Sequence, residues 1–262
     1  MKTKRFNVIP SLPDSRDYKI KAVKPKQLPE FVDLRPRLRN VKDQGNTGAC
    51  AAFAASTIKE FHETKSGLKL VVSPAFIYAH REDQEVEGMT GRDVMRILME
   101  IGSVPEKYWR GRYHNTMKIP AFLYDIAQEF KIAGFARCNT IEAVKTAINT
   151  HGALWMAVPT HIIPGQLGDA LYPNDMWNGG YGRQKVGYHA MAIVGYDDLK
   201  ERLIIRNSWG VHWGLHGNTY MDYKDFGEVI ECWTFIDAVT ADIFKKRGKL
   251  KKKVRKLFGK KK

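Results

Sequence analysis

The sequence predicts an α+β fold of two lobes, with helices in the first half of the chain and strands in the second. Two patterns support this prediction. Apolar residues recur at helical spacing in several segments up to about residue 149, and runs of β-branched, aromatic and apolar residues follow them. The length also fits, because 262 residues with 44% hydrophobic content suffice for one large domain or for two small lobes that share a cleft.

The chain begins with a predicted extended arm, residues 1–30. This segment is rich in Lys and Pro and has little periodicity. It lacks the apolar core of a secretory signal, so we expect a cytoplasmic or otherwise reducing compartment. Residues 28–48 are predicted to form a loop. The sequence has no run of about 18 apolar residues, and a transmembrane helix is therefore not predicted.

A mainly helical lobe is predicted for residues 31–130. Its first helix should run from Cys50 to about Lys65, because Phe53, Ile58 and Phe61 recur at roughly helical spacing. Further helices are predicted at Pro74–Glu82, Arg92–Ile101 and Thr140–Asn149. The last of these helices belongs to the lobe that follows.

The second lobe, residues 131–243, is predicted to be rich in strands. Its strand-like runs contain β-branched, aromatic and apolar residues and are bounded by turn residues. They are Ala153–Thr160, Tyr188–Tyr196, Arg202–Trp209 and Asn218–Tyr223. A loop rich in Gly, Pro and Asn, residues 161–187, separates the first two runs.

The chain has three cysteines, Cys50, Cys138 and Cys232. None belongs to a Cys-x-x-Cys pair, so we predict neither a metal site nor a cofactor. The odd, sparse count argues against a disulfide framework, although it leaves open one bridge between Cys138 and Cys232.

Cys50 lies where a glycine-containing loop meets the first predicted helix. By itself it has two interpretations. It can be a small buried hydrophobic residue, since free cysteine is among the most buried residue types. It can also be a nucleophile, because the amides and macrodipole of a helix N-terminus stabilise a thiolate and lower its pKa.

Two further residues favour the nucleophile. His189 lies at the start of an apolar predicted strand, and Asn207 lies at the end of the next one. If these strands form a hairpin, both residues fall at the same end, where the Asn carbonyl can orient the imidazole. Trp209 and Trp213 are placed to shield that hydrogen bond from water, although each can also be an ordinary core aromatic.

Four ordered motifs resemble those of the papain-like cysteine peptidases. The segment QGNTGACAAF matches the family pattern Gln-Gly-x-x-Gly-x-Cys-x-x-Phe, and FVDLRP resembles the mature N-terminal segment. HAMAIVGYDD resembles the histidine strand and NSWGVHWG the asparagine–tryptophan turn. His189 follows Cys50 by 139 residues, a separation within the range typical of the family. The resemblance spans residues 31–240.

The resemblance implies a papain-like fold, with a helical lobe and an antiparallel, β-barrel-like lobe that share the active-site cleft. It also implies hydrolysis of a protein or peptide substrate through a thioester. Cys50 would be the nucleophile, His189 the base and then the acid, and Asn207 the residue that orients His189. Gln44 and the Cys50 backbone N–H would form the oxyanion hole.

Four residues are assigned to substrate binding: Gly88, Gly91, Trp209 and Trp213. The two glycines lie in EGMTGRD, where the family has its substrate-binding glycine loop, although a plain turn is the alternative there. Neither the preferred substrate side chains nor endo- versus exopeptidase action is predicted.

The chain departs from the family pattern beside the nucleophile. Thr47 stands where the family usually has a disulfide-forming cysteine, Ala49 replaces a common serine, Ala51 replaces tryptophan, and Tyr188 precedes the histidine. The missing cysteine fits a reducing compartment and leads us to expect a bacterial or viral source. The arm is shorter than the family's usual inhibitory pro-segment, so either another control exists or the enzyme is made active.

The positive charge of the chain is concentrated in a C-terminal tail, residues 244–262. The net charge is +15, and residues 245–262 hold 12 Lys or Arg and no acid, which leaves +3 for residues 1–244. An apolar stripe along a predicted tail helix consists of Leu250, Val254, Leu257 and Phe258. The pattern suits an anionic membrane surface or nucleic acid, and a solvated basic end is the alternative.

Two alternatives to a peptidase stay open at this stage. One keeps the Cys-His-Asn chemistry but cleaves a non-protein amide. The other is a non-enzymatic scaffold that binds peptides, with the tail as its second binding element. The complete set of catalytic residue types favours the peptidase. The sequence does not predict an oligomeric state.

Overall fold

The computed structural model describes residues 7–21, 28–65, 67, 69–111, 113, 118–162 and 184–236. The basic tail, with its predicted helix, and most of the predicted loop 161–187 lie outside the described residues. Within the described part, no group of three or more His, Cys, Asp or Glu residues is arranged to hold a metal ion. The helices of this part are also too short or too polar to cross a membrane.

The helices lie mainly in the first half of the chain, as predicted. They are α1 (Cys50–Lys65), α2 (Pro74–Ala79), α3 (Gly91–Glu100), α4 (Phe122–Ala127) and α5 (Ile141–Thr150). Helix α1 has the predicted bounds, whereas α2 ends three residues before the predicted Glu82. Helix α4 was not predicted, since its six residues are too few to establish a period.

The strands form one large antiparallel sheet and one small parallel pair. They are β1 (Val8–Ile9), β2 (Phe31–Asp33), β3 (Met89–Thr90), β4 (Gly134–Arg137), β5 (Leu154–Ile162), β6 (Gln184–Asp197), β7 (Arg202–Arg206), β8 (Asn218–Asp222) and β9 (Glu231–Ile236). The order in the large sheet is β4-β9-β5-β6-β7-β8, and β2 pairs with β6. The α+β prediction is therefore confirmed.

Three details of the strand prediction were wrong. The predicted strand Arg202–Trp209 ends at Arg206, because Asn207 and Ser208 leave the ladder to contact other loops. Phe31–Asp33, predicted to be loop, pairs with β6 in the register Phe31↔Asp197. Strands β4 and β9 were missed as well. Short strands of this kind depend on their partners, and a segment of three to six residues shows at most a weak period.

Helix α1 packs against the sheet and is almost wholly buried. Its residues from Cys50 to Glu63 are all buried, and the indole Nε1 of Trp155 on β5 donates to the Ala51 carbonyl at 3.1 Å. This hydrogen bond lies one residue from Cys50. The start of α1 is thereby held against β5, which pairs with β6, the strand that carries His189.

The described residues of the arm, 7–21, lie along the body of the protein. Strand β1 pairs in parallel with β3, with Val8 opposite Met89. Further along the arm, the buried carboxylate of Asp17 accepts hydrogen bonds from Arg92 of α3 and Arg137 of β4. The arm is therefore attached both to the helical part and to the sheet.

All three cysteines are buried and carry free thiols. Cys138 and Cys232 are neighbours, since the Cys138 N–H donates to the Cys232 carbonyl at 3.0 Å. Burial, and then the hydrogen bond with the Cys138 side chain, raises the pKa of the Cys232 thiol. The bridge that the sequence leaves open is not formed in this structure.

Candidate active site

Cys50 is the first residue of α1, at the boundary that the sequence predicts. It is fully buried. The backbone N–H groups of Ala190, Asn7, Ala51 and Cys50 itself lower the pKa of its thiol, against the larger effect of burial. Ala190 follows His189 on β6, so the strand with the histidine lies directly against the thiol.

The thiol does not have the lowered pKa that its helix-start position predicts. Burial raises the pKa of Cys50, and the backbone N–H groups around the sulfur offset only part of this effect. The expectation from the helix N-terminus was therefore wrong for this state of the protein. The reason is desolvation, which disfavours a thiolate more strongly than the helix amides favour it.

His189 and Asn207 lie side by side, as the hairpin hypothesis predicts. The distance between His189 Nε2 and Asn207 Oδ1 is 2.7 Å, and both side chains are buried. His189 was expected at the start of a strand, but β6 begins at Gln184, five residues earlier. Asn207 directly follows β7, the hairpin partner of β6.

The Asn207 amide has a defined orientation. Its Oδ1 also accepts the backbone N–H of Ser208 at 2.7 Å. A backbone N–H only donates, so the atom that faces both Ser208 and His189 is the amide oxygen. It follows that His189 Nε2 carries a proton and donates to Asn207. The nitrogen that can take up a thiol proton is then Nδ1.

The two tryptophans cover this pair. The Trp209 ring stacks on the His189 ring with centroids 4.5 Å apart and an interplanar angle of 28°. The Trp213 ring packs edge-on against Trp209 at 5.4 Å. Trp209 is only 6% exposed, so little of its ring is left open to a substrate in this structure. A role of these tryptophans in substrate binding stays a prediction.

Gln44 is held by residues that the sequence analysis did not assign to the site. The Ser208 hydroxyl donates to Gln44 Oε1 at 2.7 Å, and Gln44 Nε2 donates to the Thr47 carbonyl at 2.9 Å. Ser208 was missed although it adjoins Asn207 in the NSWG segment, a position that suggests a supporting role. Thr47 was noted only as a departure from the family pattern.

The two glycines assigned to substrate binding lie in different surroundings. Gly88 faces the arm: a Cβ built on it would lie 1.9 Å from the Asn7 carbonyl oxygen. A Cβ on Gly91 would lie 2.7 Å from Trp155 and 2.8 Å from Trp233. The structure therefore does not bring Gly91 into the cleft beside Cys50, because close packing beneath the first turn of α3 requires a glycine there.

Asn7 lies over the nucleophile. Its side-chain amide donates to the Glu87 carboxylate at 3.2 Å and lies 3.0 Å from the position that a Cβ on Gly48 would take. Its carbonyl oxygen lies 1.9 Å from the position of a Cβ on Gly88. The arm thus packs between Gly48 and Gly88, close to the start of α1.

Comparisons with known proteins agree on the family. The family model "Papain family cysteine protease" matches residues 28–232. An uncharacterized peptidase C1-like protein of Acanthamoeba polyphaga mimivirus is 24% identical over 263 residues, which cover 85% of this chain and 82% of that protein. A cathepsin B-like protein of Giardia intestinalis is 43% identical over 202 residues, and the match covers 72% of this chain and 65% of that protein.

The fold also matches a solved structure. The cysteine protease xylellain from Xylella fastidiosa superposes with a TM-score of 0.79 at 24% identity. The match covers 90% of this chain and 97% of that chain. At this level of identity the likeness concerns the fold, and it agrees with the two-lobe architecture.

Proposed function

The chain belongs to the papain family of cysteine proteases, and we propose that it is a peptidase whose own arm closes the active site until the arm is displaced. The family membership carries the hydrolase activity. The observation that carries the closed state is the position of Asn7, which packs against Gly48 and Gly88 while Cys50 is fully buried. A substrate needs this place for the carbonyl carbon that the sulfur attacks.

The proposed mechanism begins with transfer of the Cys50 thiol proton to His189. Nε2 is engaged as a donor to Asn207 at 2.7 Å, so the proton goes to Nδ1 and forms an imidazolium. The thiolate then attacks the substrate carbonyl carbon. His189 returns its proton to the leaving amine as the C–N bond breaks, which leaves a thioester on Cys50.

Water completes the cycle. His189 takes a proton from the attacking water, the thioester C–S bond breaks, and the thiolate of Cys50 leaves with the imidazolium beside it. In both halves the carbonyl oxygen becomes an oxyanion. Its proposed donors are the Gln44 side-chain amide and the Cys50 backbone N–H, which a preorganised site holds in place before charge develops.

The described part of the arm, residues 7–21, packs closely against the loop that contains Gly88. The Asn7 carbonyl oxygen lies 1.9 Å from the position that a Cβ on Gly88 would take. Strand β1 also pairs with β3 in parallel, and Val8 is buried with only 4% of its surface exposed. The described part of the arm is therefore held against the body of the protein by strand pairing and by burial of Val8.

The arm is anchored beyond the cleft by polar contacts. The Ser11 N–H donates to the buried carboxylate of Glu231, and the Ser11 hydroxyl accepts the Arg92 N–H at 3.0 Å. Asp17 accepts from Arg92 and Arg137. These contacts join the arm to α3 and to β4 and β9 of the sheet, so the arm bridges the helical part and the sheet.

A pair of substitutions in the arm tests the closed state. Val8→Asp places a carboxylate where it has no partner, and burying an unpaired charge costs several kcal/mol. Ile9→Asp is the matched control, since Ile9 is the next residue of the same strand but is 38% exposed. We expect Val8→Asp to speed hydrolysis of a fluorogenic peptide and labelling of Cys50 by a peptide epoxide, and Ile9→Asp to leave both near wild type.

Two results would contradict the proposal. Equal rates for Val8→Asp, Ile9→Asp and the unchanged chain would show that the arm does not limit access. Labelling of Cys138 or Cys232 in place of Cys50 would remove the proposed nucleophile. The negative control is Cys50→Ala in the Val8→Asp chain, which should abolish both labelling and hydrolysis.

For the tail, we propose an anionic partner, either a membrane surface or nucleic acid. The proposal is supported by the 12 basic residues and the absence of acids in residues 245–262. A chain that ends at residue 243 should lose salt-sensitive binding to anionic vesicles or to DNA. Equal binding by both chains would show that the tail is a solvated basic segment without a binding role.

We also propose a reducing compartment, which the three free thiols support.

A further inference from the structure

We infer that Thr47 is a positioning residue for the oxyanion hole, because it holds the Gln44 side chain in the orientation in which the amide nitrogen donates to a substrate. This inference deepens the proposed function and rests on it, since it requires Gln44 to be an oxyanion donor. The position is notable because the family usually has a disulfide-forming cysteine there.

The first contact of Thr47 closes a turn. Its hydroxyl donates to the Gln44 backbone carbonyl at 2.8 Å, and its own N–H donates to the same oxygen at 3.3 Å. Gly45 supplies the left-handed conformation that the turn needs, with φ of 59°. The hydroxyl bond therefore sets the spacing between the two residues without a covalent link.

The second contact of Thr47 orients the side chain of Gln44. Gln44 Nε2 donates to the Thr47 backbone carbonyl at 2.9 Å. A carbonyl only accepts, so this end of the carboxamide must be the nitrogen, and the Ser208 hydroxyl at 2.7 Å must then donate to Oε1. The NH2 group has two hydrogens. One is directed at Thr47, and the proposed function assigns the other to a substrate oxyanion.

Gln44 itself, and the Ser208 side chain that holds it, are shielded from solvent. Gln44 is 2% exposed and Ser208 is 3% exposed, so water does not compete strongly for these hydrogen bonds. The backbone of Gln44 is tied down as well, since its N–H donates to the Ser208 carbonyl at 2.9 Å. Thr47 thus restrains Gln44 by hydrogen bonds where the family has a covalent restraint. Its hydroxyl holds the Gln44 backbone carbonyl, and its backbone carbonyl accepts from the Gln44 side-chain amide.

The test compares threonine variants in the full chain that carries Val8→Asp. Thr47→Val removes the hydroxyl and keeps the β-branched shape, and Thr47→Ser restores the hydroxyl. Thr150→Val is the matched control, because the Thr150 hydroxyl donates to a backbone carbonyl, that of Thr146, at 2.8 Å in α5. Each variant is assayed for peptide hydrolysis and for alkylation of Cys50 by iodoacetamide, a reaction that develops no oxyanion.

We expect Thr47→Val to lower kcat about tenfold with little change in KM, because a misplaced donor is weaker mainly in the transition state. Iodoacetamide alkylation should keep its rate, Thr47→Ser should recover most of kcat, and Thr150→Val should have no effect. In a chain that already carries Gln44→Ala, Thr47→Val should cause no additional loss of kcat.

The inference is overturned if Thr47→Val retains full kcat or if it slows alkylation as much as hydrolysis. It is also overturned if Thr47→Val lowers kcat by the same factor in the Gln44→Ala chain as it does when Gln44 is present. Failure of the proposed function looks different. In that case Gln44→Ala leaves kcat unchanged, or the Val8→Asp chain hydrolyses no peptide while iodoacetamide still alkylates Cys50.

Discussion

The backbone N–H of Asn7 lowers the pKa of the buried Cys50 thiol, so that a residue near the start of the chain lies beside Cys50. The contact joins two residues that are 43 positions apart in the sequence. It has consequences for the reactivity of the thiol, for the pH at which the site opens and for the residues that keep the arm in place.

The first prediction concerns the anchor of the arm. Asp17→Asn removes the charge from three hydrogen bonds with two arginine side chains, a loss of about 2 kcal/mol. This loss should raise the fraction of molecules with an open arm about thirtyfold. Labelling of Cys50 by a peptide epoxide should speed up accordingly. Asp14→Asn is the control, since the main partner of Asp14 is Arg16, which is 88% exposed. Similar acceleration by both variants would contradict a specific anchor at Asp17.

The second prediction concerns pH. Burial alone would raise the pKa of Asp17, but the hydrogen bonds from Arg92 and Arg137 outweigh it and hold the pKa below its ordinary value. A carboxylate with a lowered pKa stabilises the anchored state above its unfolded pKa, and this contribution is lost as the pH falls through the folded pKa. The arm should therefore stay closed from pH 7 to pH 5 and open only below about pH 4.

The measurement for this prediction is the reaction of Cys50 with a neutral dithiopyridine reagent, which reacts with thiols in acid. Circular dichroism at each pH shows whether the protein is still folded. Opening already between pH 6 and pH 5, in a folded protein, would mean that another group controls the arm.

The third prediction concerns the thiol itself. Burial raises the pKa of Cys50 while the arm covers it, whereas the helix N-terminus and the neighbouring His189 favour the thiolate once water is admitted. In the Asp17→Asn chain the pH profile of iodoacetamide alkylation should move to lower pH than in the unchanged chain. Coincident profiles for the two chains would show that the arm is not the cause of the raised pKa.

The fourth prediction uses the close contact between the arm and Gly88. Gly88→Ala places a methyl group 1.9 Å from the Asn7 carbonyl oxygen, which the arm must move to avoid, so epoxide labelling of Cys50 should increase. Gly67→Ala is the control for backbone strain. Gly67 also has a positive φ, 78° against 113° for Gly88, but a Cβ there meets nothing within 4 Å. If Gly88→Ala labelled no faster than the unchanged chain, the arm would have to be held by its anchor alone.

The fifth prediction concerns the orientation of the base. Asn207→Ala removes the acceptor of the 2.7 Å hydrogen bond from His189 and should lower kcat about a hundredfold in the Val8→Asp chain. KM should change little, because the asparagine does not reach the substrate. A loss in KM alone would instead assign Asn207 to substrate binding.

The sequence predicted the α+β class and the start of α1, and it selected residues that the fold brings together. The Gln44-to-Phe53 motif is local, and a helix start with its loop depends mainly on residues close in sequence. His189 and Asn207 were placed at one end of a hairpin by strand order alone. The sequence was less informative about β2, β4 and β9, because segments of three to six residues become strands only when a partner offers hydrogen bonds.

The sequence by itself determined which chemical groups this protein has and the order in which they occur, since motif spacing and periodicity are properties of the chain. Only the tertiary structure decided that Asn7 covers Cys50, that Thr47 and Ser208 hold Gln44, and that Gly91 serves packing. Each of these depends on a contact between surfaces formed by distant segments. Such contacts are selected by the summed packing and desolvation of the whole fold, for which a local pattern carries no signal.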